Sequence, residues 1–170
     1  QKSVVLGGDA ADHIFVTART AGDTRDMSGI GIFMVDAKAE GLSRRNFANQ
    51  DGTRAAEISL DGVKVPAAGV IGDPGDGLSI IRRVADDAIA ALSAEAIGVM
   101  EKLHALSLEY LKVRKQFGVP IGAFQVLQHK AVDIFVALEQ ARSITLYATM
   151  MADSDDEDER SRAMNAAKAE

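Results

Sequence analysis

The sequence predicts an α+β chain: part of a β-barrel or sandwich, followed by an antiparallel helical bundle. Three observations predict it. Over residues 1–73, apolar residues come in short runs rich in β-branched and aromatic side chains. From residue 74 to 170 they recur in steps of three and four. Between the two lie Gly72, Pro74, Gly75 and Gly77, a cluster that breaks regular structure. The expected domains are therefore a β unit over 1–73 and a helical unit over 74–170.

Taken in order, Lys2 to Leu6, His13 to Ala18 and Ile30 to Val35 read as strands, with Leu42 to Phe47 and Ala55 to Leu60 as two more. Asp61-Gly62 sits between Ile58-Ser59-Leu60 and Val63-Lys64-Val65 and predicts a hairpin turn. Leu78, Ile81, Ala85, Ile89, Leu92, Ala96, Val99, Leu103, Leu106, Tyr110 and Val113 then form one stripe on a long amphipathic helix. At roughly 38 residues it would be about 57 Å long. The segment Phe117 to Gly122 breaks it. A second helix carries Phe124, Leu127, Ala131, Ile134, Leu138, Ala141, Thr145, Ala148 and Met151 on one face. Two long helices joined by a short break are expected to lie antiparallel. Ser154 and Glu157 predict a capping box at a third helix, with Asp155 and Asp156 in its first turn, where the helix dipole favours negative charge. That accounts for the acidic run Asp153 to Glu159 without a metal. Both ends read as cut: Gln1 leads straight into a strand, and Ser161 to Glu170 is helical without a terminator.

Composition narrows the classes. With 170 residues, 47% hydrophobic and 26% charged, the profile is that of a soluble globular chain. A net charge of -6 argues against a nucleic-acid binder that coats phosphates. No apolar run approaches the ~18 residues of a membrane span, and no signal-peptide pattern opens the chain. Cysteine is absent, so neither disulfides nor thiolate metal sites are expected. A cytoplasmic location is the default expectation. His13, His104 and His129 show no ligand-like spacing and read as surface or interface residues.

The richest segment runs Arg114-Lys115-Gln116-Phe117-Gly118-Val119-Pro120-Ile121-Gly122-Ala123-Phe124-Gln125. It sets a guanidinium at the end of one helix and a Gln at the start of the next, with two aromatic rings between. An Arg fork matches a phosphate through two parallel bonds. The first amides of the second helix favour an anion. A phenyl ring can lie against a flat heterocycle. The turn is thus able to hold an adenine nucleotide. The residues fit equally a helix–helix turn with core Phe side chains and a solvated Arg, and from the chemistry alone that is the plainer reading.

R-K-x-F-G-x-P-I-x-x-F-Q, with Ala131-Val132-Asp133 following, resembles the helical hairpin of the acyl-CoA dehydrogenases. The resemblance covers nearly the whole chain, and it implies that 1–73 is the C-terminal part of a middle β domain and 74–170 the first part of a C-terminal helical domain, a four-helix bundle. Lys2, Ala11-Asp12, Val16 and Ala18-Arg19 match the family's strand pair. Val63-Lys64-Val65-Pro66 through Gly77 resembles its exit into the long helix. Ser93-Ala94-Glu95-Ala96 and Phe135-Val136-Ala137-Leu138-Glu139-Gln140 are similar to small subunits of pimeloyl-CoA dehydrogenases. The resemblance implies an FAD-dependent oxidoreductase of fatty acid metabolism and β-oxidation, which desaturates an acyl-CoA thioester between its α and β carbons. It implies an electron-transfer flavoprotein as electron acceptor, and a homotetramer, a dimer or a heteromeric assembly. Carried over by position, Arg114 would meet the FAD pyrophosphate. Phe117, Phe124 and Gln125 would lie at the adenosine end, with Gln116 on the same turn.

Three departures stand out. Val4 and Leu6 occupy positions where the family usually has Trp and Ser or Thr beside the flavin ring, so only the Leu6 backbone N–H could serve there. Ile89 stands in place of an Arg near the acyl-CoA, although Asp86 matches a family acid. Asp86, Asp87, Arg82 and Arg83 fit a solvated face equally well. Ala88 stands where a minority carry the catalytic Glu, so no catalytic residue is assigned; the base is expected beyond Glu170, or this is a subunit that has lost it. Glu95, two turns on, reads as a packing residue. The alternatives are therefore an FAD-binding subunit that depends on a competent partner, and a cofactor-free helical interaction module. An oxidase or nitroalkane-type flavoenzyme on the same fold also stays open.

Overall fold

Alternation of side chains accounts for the first part of the computed structural model, which describes residues 1–169. Strands β1 (Lys2–Leu6), β5 (Arg54–Leu60) and β4 (Leu42–Ala48) form one antiparallel sheet in that spatial order. Strands β2 (His13–Arg19), β3 (Ile30–Asp36) and β6 (Val70–Ile71) form another. In β2, Ile14 and Val16 are buried while Phe15 between them is exposed. They join Val35, Ala37, Ala56 and Ile58 in a core drawn from both sheets, a sandwich.

The hairpin expected at Asp61-Gly62 is not formed. Strand β5 is the centre of its sheet, paired with β1 on one edge and β4 on the other, so it has no edge left for Val63–Val65. The Asp61 N–H donates instead to the Gly41 carbonyl at 2.9 Å. Val63 and Val65 continue without strand structure and pack against the core. The chain rejoins a sheet only at β6, against β3, with Ile71 opposite Ile32.

The exit from the sheets is tightly stitched. Gly29 N–H donates to Gly75 O at 2.8 Å, and Thr20 Oγ1 donates to Pro74 O at 2.9 Å. At Gly77 a Cβ would lie 2.7 Å from the Ile30 carbonyl oxygen, so only glycine fits.

There α1 (Gly77–Val113) begins, 37 residues long. The chain divides into two compact units, Gln1–Arg82 and Arg83–Glu170, so α1 starts in the first and continues in the second. Glu170 itself, the last residue of the expected helical domain, lies outside the described residues.

In the second unit α2 (Gln125–Met151) runs antiparallel to α1. Rising numbers on α1 meet falling numbers on α2: Glu101 bonds Arg142 at 2.7 Å, while Leu111 abuts Gly122. The half-buried His104 ring lies 5.9 Å from Phe135. Leu138, Thr145 and Ala148 of the α2 stripe are buried. The α1 stripe is helical as expected, but Leu92, Val99, Leu103, Leu106, Tyr110 and Val113 are each more than half exposed.

The third helix, α3 (Glu157–Ala169), is capped by Asp156 rather than Ser154. Asp156 Oδ1 accepts the Glu159 N–H at 3.0 Å, and Ser154 Oγ accepts the Asp156 N–H at 3.2 Å in a turn before the helix. Both residue types cap well; Arg160 Nη1, bonded to Ser154 O at 2.8 Å, keeps Ser154 outside. Arg160 Nε also reaches Asp86 Oδ2 at 3.0 Å, and both side chains are buried. Asp86 is therefore not on a solvated face. Arg83 pairs with Asp87 at 3.4 Å one turn along α1. Among the described residues, no helix is long and apolar enough to cross a membrane.

Candidate functional site

The segment from Arg114 to Gln125 is more ordered than a simple break. Lys115–Gln116 (β7) and Val119–Pro120 (β8) form a minimal antiparallel hairpin. Its two central residues, Phe117 and Gly118, have φ of 53° and 82°. Positive φ at both is the mark of a type I′ turn. Glycine adopts it freely, but a phenyl-bearing residue does so under strain. The base of the hairpin is closed by Ile121 N–H donating to Arg114 O at 2.8 Å, and Arg114 N–H donates to Tyr110 O at 2.9 Å. Gly122 lets this turn press on α1, since a Cβ there would lie 2.9 Å from the Leu111 carbonyl oxygen.

Phe117 at this tip is 91% exposed. Its ring meets Phe124 edge-on, with centroids 6.1 Å apart and planes at 84°. Phe124 precedes the first residue of α2, Gln125, and no side chain caps that helix start. The Arg114 guanidinium is exposed, and among the described residues it has no carboxylate or hydrogen-bond partner. Gln116 and Gln125 are exposed too. The structure thus gathers Arg114, Gln116, Phe117, Phe124 and Gln125 on one short segment. A cation without a counter-charge, two rings and an open helix start are a donor set suited to a phosphate-bearing, flat heterocyclic ligand.

The other positions of interest lie at the end of β1. Val4 has φ of 54°, within a register shift between Lys2 and Val5. A β-branched residue there is a true outlier. Val4 is 58% exposed and Leu6 70%. Gly7 N–H donates to Arg54 O at 3.0 Å while Leu6 stands opposite Ala55. In an antiparallel ladder that makes Leu6–Ala55 a non-hydrogen-bonded pair, so the Leu6 N–H points to the free edge of the sheet.

Sequence reasoning passed over Arg44. From β4 its guanidinium donates to Gly8 O at 2.9 Å, Ala11 O at 3.1 Å, Asp9 O at 3.4 Å and Ala37 O at 3.3 Å. An Arg in a strand, here beside Arg45, carries no signal of four carbonyl partners. Arg54 also bonds the Asp9 carboxylate and thereby holds it below the usual aspartate range. Of the positions weighed for the base, Asp86 is engaged by Arg160, Glu95 is exposed, and position 88 is Ala.

A family model described as acyl-CoA dehydrogenase, C-terminal domain, matches residues 75–170. A probable acyl-CoA dehydrogenase of Bacillus subtilis, YngJ, is 32% identical over 156 residues, covering 90% of this chain and 41% of that protein. The cyclohexane-1-carbonyl-CoA dehydrogenase of Geobacter metallireducens is 30% identical over 155 residues, covering 89% and 40%. Among solved structures, a glutaryl-CoA dehydrogenase in complex with glutaryl-CoA superposes with a TM-score of 0.82 at 25% identity, covering 99% of this chain and 44% of that one. The chain spans about two fifths of the length of the relatives it matches.

Proposed function

This chain belongs to the acyl-CoA dehydrogenase family through its C-terminal domain, and on that premise we propose that its protein is an FAD-dependent acyl-CoA dehydrogenase. The observation that carries the proposal is the hairpin of the second unit. There Arg114, which has no partner among the described residues, and an exposed, strained Phe117 share one turn, at the positions that the resemblance assigns to the cofactor. We keep 1–73 and 74–170 as the domain division.

The reading assigns roles as follows. Arg114 holds the pyrophosphate through its fork. Phe117 and Phe124 lie against the adenosine end, and Gln116 and Gln125 supply hydrogen bonds. This FAD is held mainly by a neighbouring subunit of the assembly, a homotetramer or a pairing with a related chain. In the first unit, the edge N–H of Leu6 faces a flavin ring, with Val4 and Leu6 giving it an apolar wall. Bound FAD supplies the hydride-accepting chemistry. The proton acceptor comes from outside these residues, since Ala88 takes no proton. The substrate is an acyl-CoA thioester, the electron acceptor an electron-transfer flavoprotein, and the setting cytoplasmic β-oxidation.

An anaerobic visible spectrum of the full-length protein, before and after addition of a panel of acyl-CoA thioesters, tests this. A flavin band bleached by one thioester is the expected result. A flavin band that none bleaches favours a subunit without its own base, a reading consistent with Ala88 and with the engaged Asp86. A colourless protein leaves the helical interaction module.

A further inference from the structure

The end of β1 presents a strained, exposed edge, and strain of this kind persists only where the surroundings over-determine it. Two arginines hold the turn that follows β1. The turn after β1 starts at Gly7, with φ of 67°, whose carbonyl accepts the N–H groups of Ala10 and Ala11 at 3.1 Å each. Gly8 is buried against Val5 and Ala56, where a Cβ would lie 3.0 Å from Val5 O. Arg44 reaches this turn from β4, two strands and about 10 Å away, past β5. Its bonds to Gly8 O and Ala11 O gather the two ends of the turn, and the one to Ala37 O ties the turn to the chain after β3. Arg54 acts from the other side. Its carbonyl accepts the Gly7 N–H and its guanidinium bonds the Asp9 carboxylate.

Arg44 is a half-buried cation with no carboxylate partner among the described residues. Four carbonyl oxygens are its compensation, and they converge on it only while the turn keeps this shape. A planar fork can serve carbonyls on two sides at once. A lysine ammonium, a compact point charge on a flexible stem, does not reproduce that span.

We propose that Arg44, with the Asp9–Arg54 pair, is the positioning element for the Leu6 backbone N–H, fixing where the flat edge of a bound flavin comes to rest. The inference rests on the flavin reading above. Arg44 touches no cofactor itself; it acts through the Gly7–Ala11 turn on Val4 and Leu6.

The test uses the full-length protein as purified, with Arg44→Met, Arg44→Lys and Asp9→Asn. Two readouts other than activity are needed: amide hydrogen exchange of the peptide covering Leu6 to Ala11, and the visible circular dichroism of bound flavin. Expected for Arg44→Met is an exchange rate at least tenfold faster in that peptide, unchanged exchange in β2 and β3, and an altered flavin dichroic band. Arg44→Lys should resemble Met, and Asp9→Asn should move both readouts the same way by less. If Arg44→Met does not fold, Asp9→Asn decides alone. Unchanged exchange in the variants overturns the clamp. Faster exchange with a superimposable dichroic band overturns its coupling to the flavin, while the flavin reading stands. A wild-type protein without flavin overturns both readings, whatever the exchange shows.

Discussion

Arg160 and Asp86 form a buried ion pair, Nε to Oδ2 at 3.0 Å, that joins the first turn of α3 to α1. Neither side chain is more than about a tenth exposed, at 8% and 10%. Removing one partner strands the other charge in a poorly solvated place. Asp86→Ala should therefore cost about 3–5 kcal/mol. Replacing both by apolar residues, Asp86→Leu with Arg160→Met, should restore most of that. Denaturant melts of the full-length protein measure both, and a loss below about 1 kcal/mol in the single variant would mean that the pair contributes little.

At the hairpin tip, stability and ligand holding should part company. Phe117→Asn puts a residue that tolerates positive φ at the first central position of a type I′ turn. It should stabilise the second unit by about 1 kcal/mol, the cost of a left-handed non-glycine residue. The same change removes the exposed ring and should lower flavin retention. Thermal melts and flavin content of one preparation give both numbers; a less stable variant would show that Phe117 makes contacts worth more than its strain.

Arg114 should matter for retention and not for folding, because its side chain has no partner among the described residues. Losing a charge-assisted bond costs about 1.5–3 kcal/mol, so Arg114→Ala should weaken FAD retention by about ten- to a hundredfold at an unchanged melting temperature. Arg114→Lys should fall between, keeping the charge but losing the fork. Equal flavin content in wild type and Arg114→Ala would remove Arg114 from the site.

The Asp9–Arg54 contact gives the β1–β2 turn an acid limit. The hydrogen bond from Arg54 lowers the Asp9 pKa in the folded protein. A lowered folded value means that the contact stabilises fully above the unfolded pKa, about 3.9 for aspartate, and that this is lost as pH falls through the folded value. Exchange of the Gly7–Ala11 amides, corrected for intrinsic rates, should accelerate as pH drops below about 4. Asp9→Asn should flatten that dependence; a variant as acid-sensitive as wild type would place the effect on Glu57 or Asp51, whose pKa values are lowered too, by Arg45 and by Thr53.

Much of this architecture is written in local pattern. Runs of Ile, Val and Phe locate β1 to β5 to within a residue at each end, and the steps of three and four locate α1 and α2. What depends on partners is not. The pattern of Val63 to Val65 is that of a strand, yet β5 had already spent both edges on β1 and β4. The α1 stripe predicts a helix correctly, but periodicity does not say what covers Leu103 or Tyr110. At the candidate site, the resemblance to the acyl-CoA dehydrogenase hairpin singled out Arg114 and the rings, where residue chemistry alone favoured a plain turn. The type I′ turn was hidden, because Phe is a poor occupant of positive φ and so gives no turn signal. Arg44 was hidden for a different reason: its partners are backbone carbonyls, which no sequence pattern marks.

One methyl group at position 77 would act as a wedge. With Ile30 O at 2.7 Å and Ile32 Cγ1 at 3.0 Å from where it would sit, it drives β3 and the root of α1 apart. The backbone bond from Gly29 to Gly75 two residues upstream holds them together, so the separation has nowhere to relax. Within the first unit the root of the helix is thus welded to β3, and glycine is the only residue thin enough to make the seam.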